Sequence, residues 1–316
     1  MKIPEKLEMQ RFAQPAILLA AASLAPFLVP NAYVLHVMVL ILFYAGYSSS
    51  WNILAYSGQV SFGHAAFLGI GGYVSTLIAL KIGIMWFGLL VGGAVSGGIG
   101  LLVGLTCVRL REWFLALVTF GFTMILEAFT VEFDWITAGT FGMAVPSLLP
   151  SVQAYYYLML LLALCPVTIM YSLKRSTVGL AFQSIRENEI EAKASGVNPT
   201  KYKLVAFTLS TFLTGILGAS YAHYVGFINP QIFSLDFSFW PVIMTVIGGI
   251  ATVEGPIVGA ALLIFIWEFL RIIDPSVKLL LIGGIMVLIM ILMPRGIVPI
   301  VKSRIKEIRK GFSHTR

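Results

Sequence analysis

Charge is what this chain has least of. Of its 316 residues only 11% are Asp, Glu, Lys or Arg, against 59% hydrophobic, and the mean hydropathy is +0.93. That balance excludes a water-soluble globule and leaves a membrane protein. Cysteine is nearly absent: Cys107 and Cys165 fall in or beside apolar runs, so neither a disulfide framework nor a cysteine metal site is expected. Alternating ten-residue strand patterns are missing, which argues against a barrel. Catalytic signatures are missing too. There is no HExxH, no serine nucleophile elbow, no GxxxxGKS/T phosphate loop and no pair of acids at useful helical spacing. If the chain pumps a solute, a separate protein must hydrolyse the ATP. The net charge of +7 does not point to nucleic acid, because aromatic and basic residues are not interleaved. A secretory signal is not expected either, since Glu5 and Glu8 sit among the first bases and the first apolar run has no clear cleavage site.

What is present is a series of apolar runs, each near the roughly 20 residues that cross hydrocarbon as a helix. They predict an all-α polytopic bundle of about ten transmembrane helices at 15–30, 33–56, 64–81, 84–108, 113–131, 155–173, 204–227, 237–250, 256–273 and 277–293. Residues 1–14 read as a cytoplasmic N-terminal segment, 15–294 as the membrane domain and 295–316 as a basic cytoplasmic tail. A cytoplasmic N-terminus places 18 of the 21 Lys and Arg inside and leaves only Lys81, Arg271 and Lys278 outside. Short loops obey such a bias. Ten crossings allow a 5+5 inverted arrangement, although six of them precede residues 176–203 and four follow, and no residue match between the halves supports it. Glycines at 88–104, with Gly69, Gly71, Gly72, Gly255 and Gly259, read as close helix contacts.

Residues 176–203 form the longest strongly polar stretch and read as one amphipathic helix. Ser176 and Thr177 suit its start, apolar Leu180, Ala181, Phe182, Ile185 and Ile190 recur at nearly helical spacing, and Gly196 suits its end. Glu189 and Lys193 stand four apart, in register to pair. Asn198 and Pro199 then open the next helix. Two readings stand side by side: a solvated helix at the lipid interface, or a docking surface for a soluble partner.

Two stretches interrupt the helical pattern near membrane depth, YSGQVSFGH at 56–64 and GGIATVEGP at 248–256. They are either tight cytoplasmic turns with packing glycines or borders of a substrate path, since backbone that leaves a helix near lipid must be buried or line a wet cavity. Gln59, Ser61, His64, Thr252 and Glu254 are the candidates for such a path. Glu127, Glu268 and Arg271 fall near outer span ends, with the last two placed to pair, and His36 and His223 read as satisfied histidines.

Three runs carry a resemblance. NILAYSGQVSFGHAAFLGIGG at 52–72, SIRENEIEAKASGVNPTKYK at 184–203 and IGGIATVEGPIVGAA at 247–261 are similar, in order, to signatures of the LivM-type permeases of branched-chain amino acid ABC transporters. Within the second, EAKASGVNP resembles the EAA-type loop whose short helix fits a groove of the ATPase. The resemblance implies that Arg186, Glu187, Glu191, Ala192, Ala194 and Gly196 serve coupling. It also implies a homologous second permease, two cytoplasmic ATPase subunits that carry ATP and Mg, an extracytoplasmic substrate-binding protein, and the inner membrane of a prokaryote. The chain itself would bind no cofactor or metal. Leucine, isoleucine and valine are the implied substrates, with urea, amides or other amino acids as the alternative. A passive channel and a membrane-embedded enzyme are the rival classes; the first has no use for an ATPase contact, and the second needs a catalytic set.

Overall fold

In lipid every backbone N–H and C=O must pair within the protein, which is why apolar runs of this length become helices. The computed structural model describes residues 20, 22–28, 31–107, 110 and 112–313. The segment 1–14, Arg109, Arg111 and most of the expected crossing at 15–30 lie outside the described residues, although 22–28 is helical.

From Ala32 on, the helices of six residues or more are α1 (Ala32–Tyr56), α2 (His64–Ile82), α3 (Met85–Cys107), α4 (Glu112–Glu132), α5 (Val152–Leu173), α6 (Thr177–Glu187), α7 (Glu189–Ala194), α8 (Pro199–Val225), α9 (Leu235–Gly248), α10 (Gly255–Phe269), α11 (Pro275–Leu292) and α12 (Ile297–Ser313). Among the described residues, seven stretches are long and apolar enough to span a membrane: α1 to α5, α8, and α10 with the 3-10 turn that follows it. At 14 residues, α9 is about 21 Å long, short of a hydrocarbon core about 30 Å thick. The expected short segment at 237–250 is therefore a short helix, which turns back into α10.

The bundle is organised around α1, whose last twelve residues are all buried. On one side lie α2, α3 and α8, drawn together by small residues. A Cβ on Gly71 would stand 2.0 Å from the Gly215 carbonyl oxygen, and one on Gly218 2.0 Å from that of Leu68. On the other side α9 and α10 pack against α1, and α5 completes the surround. The stripe at 88–104 is mostly a contact surface as expected, except that Gly98 meets nothing. A two-residue antiparallel pair, β1 (Met143–Ala144) with β2 (Phe227–Ile228), closes the end of the bundle at the C-terminus of α8. At that end His223 bonds Ser75 (2.9 Å) and the Pro146 carbonyl (2.7 Å), and His36 bonds the Tyr224 hydroxyl (2.6 Å), so both histidines are satisfied. Glu268 pairs with Arg271 at 4.0 Å and accepts from the Tyr33 hydroxyl.

The polar connector corrects an expectation. It is two helices, not one. Ser176 caps α6 through its side chain to the Gly179 N–H (3.1 Å), but the chain leaves the helix at Asn188, which is extended (φ −158°, ψ 109°). The Asn188 carboxamide oxygen accepts from the Ile190 and Glu191 N–H groups at 3.0 and 3.3 Å and so starts α7. An asparagine competes for backbone donors in this way and favours a cap over a helix interior. The new start also redirects a charge: Glu189 pairs with Lys203 at 2.6 Å, not with Lys193. Gly196 takes the left-handed turn (φ +86°), and Asn198 caps α8 at the Lys201 N–H with Pro199 in its first turn.

Candidate functional site

The two glycine-rich breaks and the connector meet at one end of the bundle. Ile53 and Tyr56 of α1, Met170 of α5, Phe182 of α6, Ala206 and Leu213 of α8 and Ala251 of the second break form one buried apolar cluster. Its physical basis is amphipathicity: α6 buries Gly179, Ala181, Phe182 and Ile185 and leaves Leu180, Gln183, Arg186 and Glu187 exposed. Phe182, fully buried, lies between the rings of Tyr56 (6.2 Å) and Tyr202 (6.3 Å).

The first break, residues 57–63, is held by its own polar groups. Gly58 is left-handed (φ +80°), and a Cβ there would stand 2.9 Å from the Arg186 Cα, so the break lies directly against α6. The Gln59 amide donates to the Ser57 hydroxyl (2.9 Å) and to the Lys203 carbonyl (2.8 Å). The Trp51 indole donates to the Ser61 carbonyl at 2.8 Å. Ser210 donates its hydroxyl proton to the Ser50 carbonyl (2.7 Å), so its 2.7 Å contact with His64 Nε2 requires that nitrogen to be the donor. His64 Nδ1 then accepts from Ser61 at 3.2 Å. Gln59, Ser61 and His64 are therefore buried and bonded within the chain, as backbone that leaves a helix near lipid demands.

The second break, residues 249–254, is clamped by Asn52. The Asn52 carboxamide oxygen accepts from the Ala251 N–H and its nitrogen donates to the Thr252 carbonyl, both at 2.7 Å. Ala251 is left-handed (φ 59°), an uncommon state for a residue with a Cβ, and the Asn52 bond helps to hold it there. Thr252 bonds the Gly249 carbonyl (2.7 Å) and receives the Gly255 N–H (2.9 Å). Glu254 pairs with Lys302 of α12 at 2.8 Å. Burial opposes ionisation of the Glu254 carboxyl, but the Lys302 ammonium, its own backbone N–H and Lys174 outweigh burial and hold its pKa below the ordinary value. Burial lowers the pKa of Lys174, a trend that Glu254 opposes and that Lys302 and Arg186 reinforce. Lys174 and Arg186 both face the Tyr56 ring, at 5.9 and 5.8 Å from its centroid.

Thus α1 carries the break that touches the connector and clamps the break that touches the tail helix. The site brings all the expected path residues to one end. Of the expected coupling residues, Arg186, Glu187, Glu191, Ala194 and Gly196 are exposed, whereas Ala192 is buried. The exposed surface also carries Leu180 and Ile190, 66% and 81% exposed. Asn52, Tyr56, Lys174 and Lys302 were not singled out by sequence, and Phe182 was read only as one of the connector's apolar positions. The buried run SSSWN at 48–52 was the available signal for Asn52, because polar residues inside an apolar run need partners. No group of three or more potential metal ligands occurs among the described residues.

A family model described as "Branched-chain amino acid transport system / permease component" matches residues 33–290. The chain belongs to this permease family. It is similar to the "High-affinity branched-chain amino acid transport system permease protein LivM" of Salmonella typhimurium, 30% identical over 80% of this chain and 67% of the relative. It is also similar to the protein of the same description from Escherichia coli, at 29% over the same shares. A "Probable branched-chain amino acid transport permease protein LivM" of Methanocaldococcus jannaschii is 23% identical over 72% of each chain. No solved structure matches the chain significantly. The family match at 33–290 takes in all three quoted signatures and ends before α12.

Proposed function

We propose that this chain is a membrane-spanning permease subunit of an ATP-driven importer that moves branched-chain amino acids by alternating access. Family membership and the names of its relatives support the substrate class. The observation that carries the mechanism is the apolar cluster that joins Phe182 of the connector to Tyr56, beside the first break, and to Ala251, within the second. A push on α6 cannot move Phe182 without moving the end of α1 and the second break, because close-packed interiors transmit displacement.

In this reading α6 and α7 present Leu180, Glu187, Ile190 and Glu191 to a cytoplasmic ATPase subunit, and a second ATPase serves a homologous second permease. A substrate-binding protein delivers the amino acid at the opposite end, near β1 and β2. The chain crosses the inner membrane of a prokaryote about ten times with both ends in the cytoplasm, and a 5+5 layout fits that count. ATP and Mg reside on the ATPase chains. The path lies between the two permeases; Thr252 and Glu254 border it, and Gln59, Ser61 and His64, buried within the chain, support that border from behind. A zwitterion with an aliphatic side chain needs few charges along its way, which suits the uncharged first break.

The test is uptake of labelled leucine against a gradient, with urea as competitor, in cells with and without the ATPase genes. Uphill uptake that vanishes with the ATPase and resists urea is expected. Accumulation that persists without the ATPase would refute the coupling, and displacement by urea but not by valine would move the substrate class.

A further inference from the structure

The helix α12 is not used by the coupling mechanism, and its composition sets it apart. Residues 297–313 carry Lys302, Arg304, Lys306, Arg309 and Lys310 against a single acid, Glu307. Its apolar stripe starts inside the protein and leaves it. Ile297 packs against the cluster of α1, α9 and α10, and Val298 is 8% exposed. One and two turns on, Val301 and Ile305 are 46% and 49% exposed. Residues four apart share a helix face, so an uncovered apolar strip continues the one that is packed.

The sequence reads α11 as the tenth crossing, and that reading places α12 relative to hydrocarbon. The last turn of α11 exposes Ile291 and Leu292, at 72% and 66%, as a lipid-facing helix end does. Only residues 293–296 separate α11 from α12. Four residues reach about 14 Å at most, so α12 starts within the interfacial layer. Its start is pinned there. Gly296 (φ +82°) lies against Gly249, with a built Cβ 2.5 Å from the Gly249 Cα, and Lys302 is paired with Glu254. A helix anchored at this level, apolar on one strip and basic elsewhere, complements a surface of acyl chains under anionic headgroups.

We propose that α12 lies on the bilayer surface with Val301 and Ile305 in the acyl boundary and that its basic residues bind anionic phospholipid headgroups. Because Lys302 and Gly296 touch the second break, lipid contact at α12 holds that break against Asn52. Anionic lipid is favoured over a protein partner because the apolar strip runs on from a lipid-facing helix end.

Hydrogen exchange of the full chain in nanodiscs tests this. Discs of phosphatidylcholine alone would be compared with discs that also contain phosphatidylglycerol. Exchange at 300–313 should slow about tenfold in the anionic discs, an effect that high salt removes. The variant Val301→Asn/Ile305→Asn and the variant Arg304→Gln/Lys306→Gln/Arg309→Gln should each lose the difference, while exchange in α8 stays unchanged and shows that the bundle is folded. Equal exchange in both discs would overturn the proposal. So would protection that appears only when ATPase subunits are added, which would make α12 a protein contact.

Discussion

Phe182→Ala is the most informative substitution, because it cuts the connector from the bundle without touching the exposed face. The Phe182 side chain is fully buried among Ile53, Tyr56, Met170 and Ala206 and is edge-on to Tyr56 and Tyr202. Truncating a buried phenylalanine costs about 3–5 kcal/mol, which includes the cavity left behind. The helix α6 follows the end of α5 and is half exposed, so the penalty falls on docking of α6 rather than on the membrane bundle. At about 1.4 kcal/mol per factor of ten, local opening of residues 177–187 should rise by roughly two to three and a half orders of magnitude. Hydrogen exchange of the purified chain measures this directly. Fast exchange should be confined to the connector, with α8 protected as before, and leucine uptake by the assembled transporter should fall while ATP hydrolysis continues. Leu180→Ala, on the opposite and exposed face, should leave exchange unchanged and weaken ATPase association instead. If Phe182→Ala leaves 177–187 protected, or loosens α8 equally, the cluster is not the mechanical link and the reasoning fails.

The other predictions follow from the same contacts. Asn52→Ala leaves the Ala251 N–H and the Thr252 carbonyl without their partner, at about 1–3 kcal/mol per buried group; thermal unfolding in detergent should move down and uptake should fall with insertion intact. Gly58→Ala places a Cβ 2.9 Å from the Arg186 backbone at φ +80°, so it should displace α6 and reduce stimulation of the ATPase by substrate, as measured by phosphate release. The pH dependence has a definite sign. The Glu254 carboxyl has a depressed folded pKa, so its ion pair with Lys302 holds α12 fully above the ordinary carboxylate range and lets go as pH falls through the lower folded value. Glu254 is half exposed, so the contribution is only about 0.2–1 kcal/mol. Exchange at 297–305 should quicken modestly on acidification, and Glu254→Gln should remove that response.

Much of this protein is written in one dimension. Long uncharged runs must become helices in lipid, so α1 to α5 and α8 follow from composition, and the caps at Ser176, Asn198 and Pro199 and the turn at Gly196 follow from local chemistry. The family is legible too, because the runs at 52–72, 184–203 and 247–261 are contiguous and each lies inside the matched region. What depended on the folded bundle is which distant groups meet. The preference of Asn188 for a cap did not by itself place a break inside the connector, and Glu189 chose Lys203 across the turn over Lys193 on its own helix. Asn52 and Ala251 are 199 residues apart, and no periodicity relates them. Hydrophobic spacing decides that a segment is a helix and which side it buries. Its partner is decided by packing in three dimensions, where a small residue in one chain segment admits the backbone of another.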